Sequence, residues 1–370
     1  MTTFVDIHVL QTVPPSCLNR DDNGSPKVAQ FGGVNRLRVS SQSWKRAARE
    51  MFSKTVDIRD QGKRTIQAVD LIAKEITKQA PEYHDQAGAM AEDVLKTVGI
   101  KIKETKAGEP KVTGYLLFLS NGQIELLAAK AIEAAEAGVK LKKRDLKAIL
   151  SRENSIDLGL FGRMVAEFSD INVDAACQVA HAISTHATET EFDFFTAVDD
   201  VKADTEDTDA GAGMMGSVEF SSATLYRYAT VNIEQLVENL GDTEAAISAV
   251  CSFIDAFVKS LPSGKVNTFA HNTLPSLVNV TIREDHPLSY VAAFEKPIRA
   301  SEGSGYVEKS VEAMSAYAGE IFEAYRNAPA VAFVVAPAQL FPKVDSLGEH
   351  VAYPDLGARI TTALEGSVQS

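Results

Sequence analysis

From Phe4 to Leu10 the chain alternates: Val5, Ile7 and Val9 fall on one side, Asp6 and His8 on the other, the pattern of a half-buried strand. Pro14-Pro15 is expected to end it, with a loop through Asn19 to Gly24. A turn at Phe31-Gly32-Gly33 leads to a second short strand over Arg36 to Val39. Ser40 and Ser41 then stand as N-cap candidates for a helix running to about Phe52. On that helix Gln42, Lys45, Arg46 and Arg49 share one face, while Trp44, Ala47, Ala48 and Met51 form the opposite, core-facing one.

Helical periodicity fills Thr65 to about Ala137, broken from Gly99 to Gly114. Further helices are expected over Asp145–Leu150, Ala175–Thr185, Ile233–Leu240, Thr243–Leu261 and about Glu308–Arg326. Strand chemistry returns from Ser217 to Val231 and around Val278 to Ile282. Strands at both ends of a helical middle predict an α+β core carrying a large helical insertion. The longest unbroken apolar run, Ala330 to Ala336, is far short of the roughly 20 residues that span a bilayer, so no membrane association is expected. Neither a secretory signal nor a cysteine framework is apparent: Cys17, Cys177 and Cys251 lie far apart. A cytoplasmic location follows as the expectation.

Charge changes the picture. The net charge of −13 counts against a polyanionic partner, but the charges are segregated. Asn23 to Arg49 holds six basic residues (Lys27, Arg36, Arg38, Lys45, Arg46, Arg49) and no acidic one. Lys140 to Arg152 holds six more, Lys142, Lys143 and Lys147 among them, against Asp145 alone. Glu191 to Glu219 carries nine acidic residues against Lys202. Such a chain can hold a polyanion on one face and repel it elsewhere; ordinary solvated faces are the plain alternative.

Basic residues in the first turns of the Ser40-capped helix oppose its dipole, and a bound anion would remove the conflict. Gly211-Ala212-Gly213-Met214-Met215-Gly216 matches G-x-G-x-x-G literally. An acidic run precedes it and a strand follows, so a dinucleotide site is rejected in favour of a hairpin tip carrying two methionines. Cys177, His181 and His186 are poorly spaced for a metal, and a structural role is preferred. Tyr226 and Tyr228 share a strand face, where base stacking competes with a core role, again the preferred one. No serine elbow, P-loop or HExxH occurs, and neither a metal nor another cofactor is called for.

Several of these residues resemble a known family. The segments Cys17 to Asp22, Phe31-Gly32-Gly33 and Arg38 to Ser43 with Lys45-Arg46 are similar to the backbone subunit of the type I-E CRISPR Cascade complex, the CasC family. So are Gly162-Arg163-Met164, His181 to His186, Phe195 to Asp200, Glu219 to Ser222, Tyr226 to Ala229 and Glu238 to Gly241. The match does not extend to about Arg59–Ala137 or beyond Ala328.

The resemblance implies an RRM-like (ferredoxin-like) palm, a large helical fingers insertion and an extended β-hairpin thumb. The expected division is palm at 1–58, fingers at 59–180, palm at 181–200, thumb at 201–219 and palm with C-terminal elements at 220–370. It further implies a non-catalytic subunit that oligomerises along CRISPR RNA and presents it in kinked segments for pairing with target DNA. Expected partners are the RNA, the DNA, copies of the chain and other Cascade subunits. Arg20, Lys27, Ser40, Ser41, Gln42, Lys45, Arg46 and Arg49 are the implied guide-backbone contacts, with Met164 and Met215 beside the kink. Lys142, Lys143 and Lys147 are the implied DNA contacts. The rivals are a metal-dependent nuclease and a structural oligomer holding no nucleic acid.

Overall fold

The alternation that begins at Phe4 runs further than its prolines suggest. In the computed structural model, which describes residues 2–106, 110–165, 169–197 and 214–368, β1 spans Phe4–Ser16. Pro14-Pro15 does not end the strand: it falls where the register slips between Val13 and Ser16, an irregularity that tolerates missing donors. The hairpin β2 (Val28–Phe31) and β3 (Val34–Val39) follows, then α1 (Ser41–Thr55).

The insertion comes next. It comprises β4 (Gly62–Thr65), α2 (Ala68–Gln79), α3 (Ala87–Val98), β5 (Ile102–Lys103), β6 (Val112–Thr113), β7 (Leu117–Ser120), α4 (Asn121–Glu136), α5 (Lys143–Leu150) and α6 (Ile156–Phe161). The helices α2 to α5 close around their own core, with Ile72, Ile76, Val94, Leu95, Leu127 and Leu146 at its centre. The break after Gly99 is the small β5–β6 hairpin, and β4 pairs β7.

The helix expected over Ala175–Thr185 is instead two strands, β8 (Cys177–Val179) and β9 (Ala182–Ser184), both antiparallel to β11. Three-residue strands carry too little periodicity to be told from one helical turn; their pairing partner, not their composition, decides them. β10 (Glu191–Ala197) and β11 (Met214–Asn232) then pair antiparallel. The acidic run and residues 201–213 of the expected thumb lie outside the described residues. Met214 to Gly216 sit in strand β11 opposite β10 and not at a hairpin tip.

The chain finishes with α7 (Ile233–Leu240), α8 (Thr243–Lys259), β12 (Leu277–Arg283), α9 (Tyr306–Tyr325), β13 (Val331–Val335), β14 (Glu349–His350) and α10 (Tyr353–Val368). The result is a mixed α/β molecule built on a large sheet. Among the described residues the strand order is β14-β13-β12-β1-β11-β9-β3-β2, with β8 and β10 also on β11.

Both faces of the sheet are covered. Val5, Ile7 and Val9 pack under Trp44, Ala48 and Phe52 of α1 and under Val250, Phe253 and Phe257 of α8. Leu10 and Tyr226 on the reverse face pack under Tyr290, Phe294 and the Val311 and Met314 of α9. β11 outlasts β1: its pairing with β1 begins at Ser221, so the preceding residues and β10 form a two-stranded ribbon beyond β1.

Candidate nucleic-acid interface

The start of α1 organises one side of the site. Ser40 is extended (φ −65°, ψ 147°), and its hydroxyl accepts the Ser43 N–H and donates to the Ser43 hydroxyl. Ser40 is buried, so this hydroxyl serves the cap rather than an outside group. The Asn19 side chain accepts the Ser40 N–H at 2.9 Å, and the Asn19 carbonyl accepts the Lys27 N–H at 2.9 Å. The loop bearing exposed Arg20 and half-buried Lys27 is thereby tied to the N-terminus of α1. Ser41 is half-buried and Gln42 exposed in the first turn, which contains no acidic residue.

Beyond the cap, α1 forms one wall of an open groove of about 830 Å³. Gln42, Lys45, Arg46 and Arg49 line it from α1, Arg64 from β4, and Met164 from the segment after α6. These side chains are not equivalent. Arg49 Nε donates to Asp157 Oδ2 at 2.8 Å, its Nη2 donates to the Gly62 carbonyl, and its guanidinium lies 4.6 Å from the Phe118 ring centroid. Its charge is thus neutralised within the protein. Arg46 pairs with Glu50 one turn along, an exposed pair worth little in water. Lys45 has no carboxylate partner among the described residues and lies 5.5 Å from the Phe161 ring centroid.

Arg64 is exposed and makes no ion pair among the described residues. Sequence reasoning passed over it because it found no family motif between about Arg59 and Ala137, a stretch that the family model nevertheless covers. The available signal was the dibasic Lys63-Arg64 placed after a glycine.

Gly162-Arg163-Met164 is explained by local physics. Gly162 has φ +74°, and a Cβ there would meet the Val173 carbonyl at 2.6 Å. Arg163 turns inward and donates to the carbonyls of Ile171, Phe118 and Leu150 and to Gln123 Oε1. Burial pulls its pKa down to about 10. Met164 is thrown outward and is 86% exposed at the groove.

Met215 does not line the groove. It stands opposite Thr196 on the β10–β11 ribbon, two residues from the Phe194 partner Ser217. Strand parity puts Phe192, Phe194 and Met215 on one side of that ribbon, and all three are about two-thirds exposed, at 69%, 66% and 66%. The two phenylalanines are the apolar residues that sequence reasoning left unassigned. Lys142 and Lys143 begin α5 away from the groove, and Lys147 is ion-paired with Asp170, whose pKa this pair lowers.

Other candidates resolve as structure. Arg36, counted in the basic block, is fully buried and donates to the carbonyls of Phe31, Ser184, Phe294 and Glu295. Tyr226 is buried and accepts the Tyr290 N–H at 2.8 Å, and half-buried Tyr228 donates to Asp6 and stacks 5.2 Å from the His8 ring, so both rings are packed within the protein. Burial pushes the Cys177 thiol up to about 12, and His186 accepts the Thr224 N–H while stacked 3.5 Å from Tyr306. Among the described residues no group of three or more His, Cys, Asp or Glu could hold a metal ion, and no helix is long and apolar enough to cross a membrane.

With that geometry in hand, comparison places the chain. Residues 5–355 match the model of the family described as CT1975-like protein. None of the curated proteins matches. A solved chain titled "CRISPR RNA-guided surveillance complex, pre-nicking" is 37% identical, with a TM-score of 0.85, covering 98% of this chain and 100% of that one. Another, titled "CRISPR RNA-guided surveillance complex", is 33% identical with a TM-score of 0.76, covering 97% of this chain and 99% of that one.

Proposed function

Since this chain belongs to the CT1975-like family, we infer that it is a non-catalytic subunit of a CRISPR RNA-guided surveillance complex that holds the guide RNA by its backbone. The observation that carries the reading is the groove whose described lining brings Lys45, Arg46 and Arg64 together with one carboxylate, Asp174, Glu50 pairing with Arg46 from outside that lining. Phosphate contacts of this kind fix a strand in place without reading its sequence, as a subunit serving many guides requires. Sequence discrimination is left to base pairing, the division of labour used by other RNA-guided effectors.

The finer assignments belong to the same proposal. The order β12-β1-β11-β9, with α1 and α8 on one face, supports an RRM-like palm; the insertion serves as fingers and the β10–β11 ribbon as thumb. Copies of the chain stack along one RNA in a type I-E Cascade, in the cytoplasm. Met164 at the groove and Met215 on the ribbon supply apolar surfaces that flank the kinks. Lys142, Lys143 and Lys147 meet target DNA, with Lys147 giving up Asp170 to do so.

Filter binding of single-stranded RNA as a function of salt tests the core of this reading. Neutralising about six phosphates gives a slope of roughly −4 in log K against log salt. Lys45→Ala with Arg46→Ala is expected to flatten it by about 1.4 and to weaken binding evenly across unrelated RNA sequences. A slope near zero, or metal-dependent cleavage of the RNA, refutes the reading.

A further inference from the structure

Three basic groups converge near the edge of the sheet without a counter-charge among the described residues. Arg38 of β3 lies two residues before the Ser40 cap; its Nε donates to the Val28 carbonyl and its Nη1 meets His181 Nδ1 at 3.1 Å. Lys27 sits alongside, for its carbonyl accepts the Arg38 N–H at 2.8 Å. His181 occupies the turn between β8 and β9, and the first residues of β9 pair directly with β3 through Ala182–Val39 and Ile183–Arg38. None of the three has a carboxylate partner among the described residues.

A guanidinium has only donors, so His181 Nδ1 must accept. The ring proton of neutral His181 therefore sits on Nε2, on an exposed side chain. Partial burial, then the charges of Arg38 and Lys27, hold this imidazole below the usual histidine range. No carboxylate from β3, from the loop before β2 or from the β8–β9 turn acts on it. The molecule thus keeps two cations and one titratable donor close together, and the like-charge repulsion is offset only by the hydrogen bonds from Arg38 to Val28 and His181.

We propose that Lys27, Arg38 and His181 form a phosphate subsite for single-stranded RNA in which His181 donates through Nε2 and makes the grip proton-linked. The proposal rests on the RNA-binding reading given above and extends it, because Arg38 and His181 are no part of the groove. A phosphate between the three groups cancels the repulsion and draws the Arg38 guanidinium off His181 Nδ1, so that nitrogen takes up a proton more readily with RNA bound than without. Binding is then accompanied by proton uptake, and affinity rises as pH falls through the bound-state value.

Fluorescence anisotropy of a labelled single-stranded RNA on the full-length chain provides the test, at about pH 7.5 and about pH 5.5. Acidification is expected to tighten binding by about threefold more in the wild type than in His181→Gln. Arg38→Gln should weaken binding about tenfold and lower the salt slope by about 0.7, while Arg38→Lys, which keeps the charge, should restore that slope. Equal pH responses of wild type and His181→Gln, or an unaltered slope in Arg38→Gln, overturn the subsite. If Lys45→Ala with Arg46→Ala still flattens the slope in that event, the groove reading survives alone; if wild-type chain binds no RNA, both fail.

Discussion

His8 sits at the centre of a buried polar stack. Its ring lies 3.9 Å from that of Tyr290, and its Nδ1 is 2.9 Å from the Tyr226 hydroxyl. That hydroxyl also accepts the Tyr290 N–H, while His8 Nε2 has no hydrogen-bond partner among the described residues. Burial, then the charge of Arg283, lowers the pKa of His8 from the ordinary 6.5 to about 3. The unfolded chain accepts a proton that the folded one refuses, so this contribution is complete above pH 6.5 and is lost as pH falls towards 3. Denaturant midpoints should therefore fall on acidification from about pH 6.5, at up to about 1.4 kcal/mol per pH unit for this one group. His8→Leu is expected to remove that part of the slope, even though it costs stability at neutral pH by stranding the Tyr226 hydroxyl; an unchanged slope refutes the account. The alternation in β1 predicts which side His8 takes. It cannot show that this side is sealed, because the cover, Tyr290 and Phe294, comes from a distant part of the chain.

Between elements, the Arg49–Asp157 ion pair joins α1 to the insertion. Asp157 of α6 accepts from Arg49 of α1 at 2.8 Å and from the Ser155 hydroxyl at 2.7 Å, and it is nearly buried. Arg49 Nη2 also reaches the Gly62 carbonyl of β4, so α1, α6 and β4 meet at this point. Asp157→Asn leaves Arg49 half-shielded without its counter-ion and should cost about 2 kcal/mol in urea unfolding. Arg49→Lys, which keeps a cation but loses the fork, should cost less; equal and negligible costs would show that the contact is ornamental. Arg49 shows where sequence reasoning stops. Its place on the polar face of an amphipathic helix was readable, as were the Ser40 cap and the buried Trp44. That its charge is spent on Asp157 was not, because that partner lies across the whole insertion. The short β8 and β9 failed for a related reason: only β11 makes them strands.

For the molecule as a whole, charge segregation makes a statement about assembly. A chain of net charge −13 repels its own copies, and the acidic run Asp199–Asp209 adds to this. The ribbon also exposes Phe192, Phe194 and Met215 on one side, an apolar surface seeking cover. These two features oppose each other, and on the proposed reading a shared polyanion held in successive basic grooves would tip the balance, by screening the repulsion and raising local concentration. Self-association should therefore depend on RNA. Sedimentation of the purified, nuclease-treated chain is expected to give small species, and adding single-stranded RNA of increasing length should raise the mass in steps. Phe192→Asp with Phe194→Asp should remove the steps while leaving most of the RNA binding by one copy, since neither side chain lines the groove that holds Lys45, Arg46 and Arg64. Growth without RNA would mean that the apolar surface outweighs the charge, and stepwise growth in the double variant would mean that another surface joins the copies.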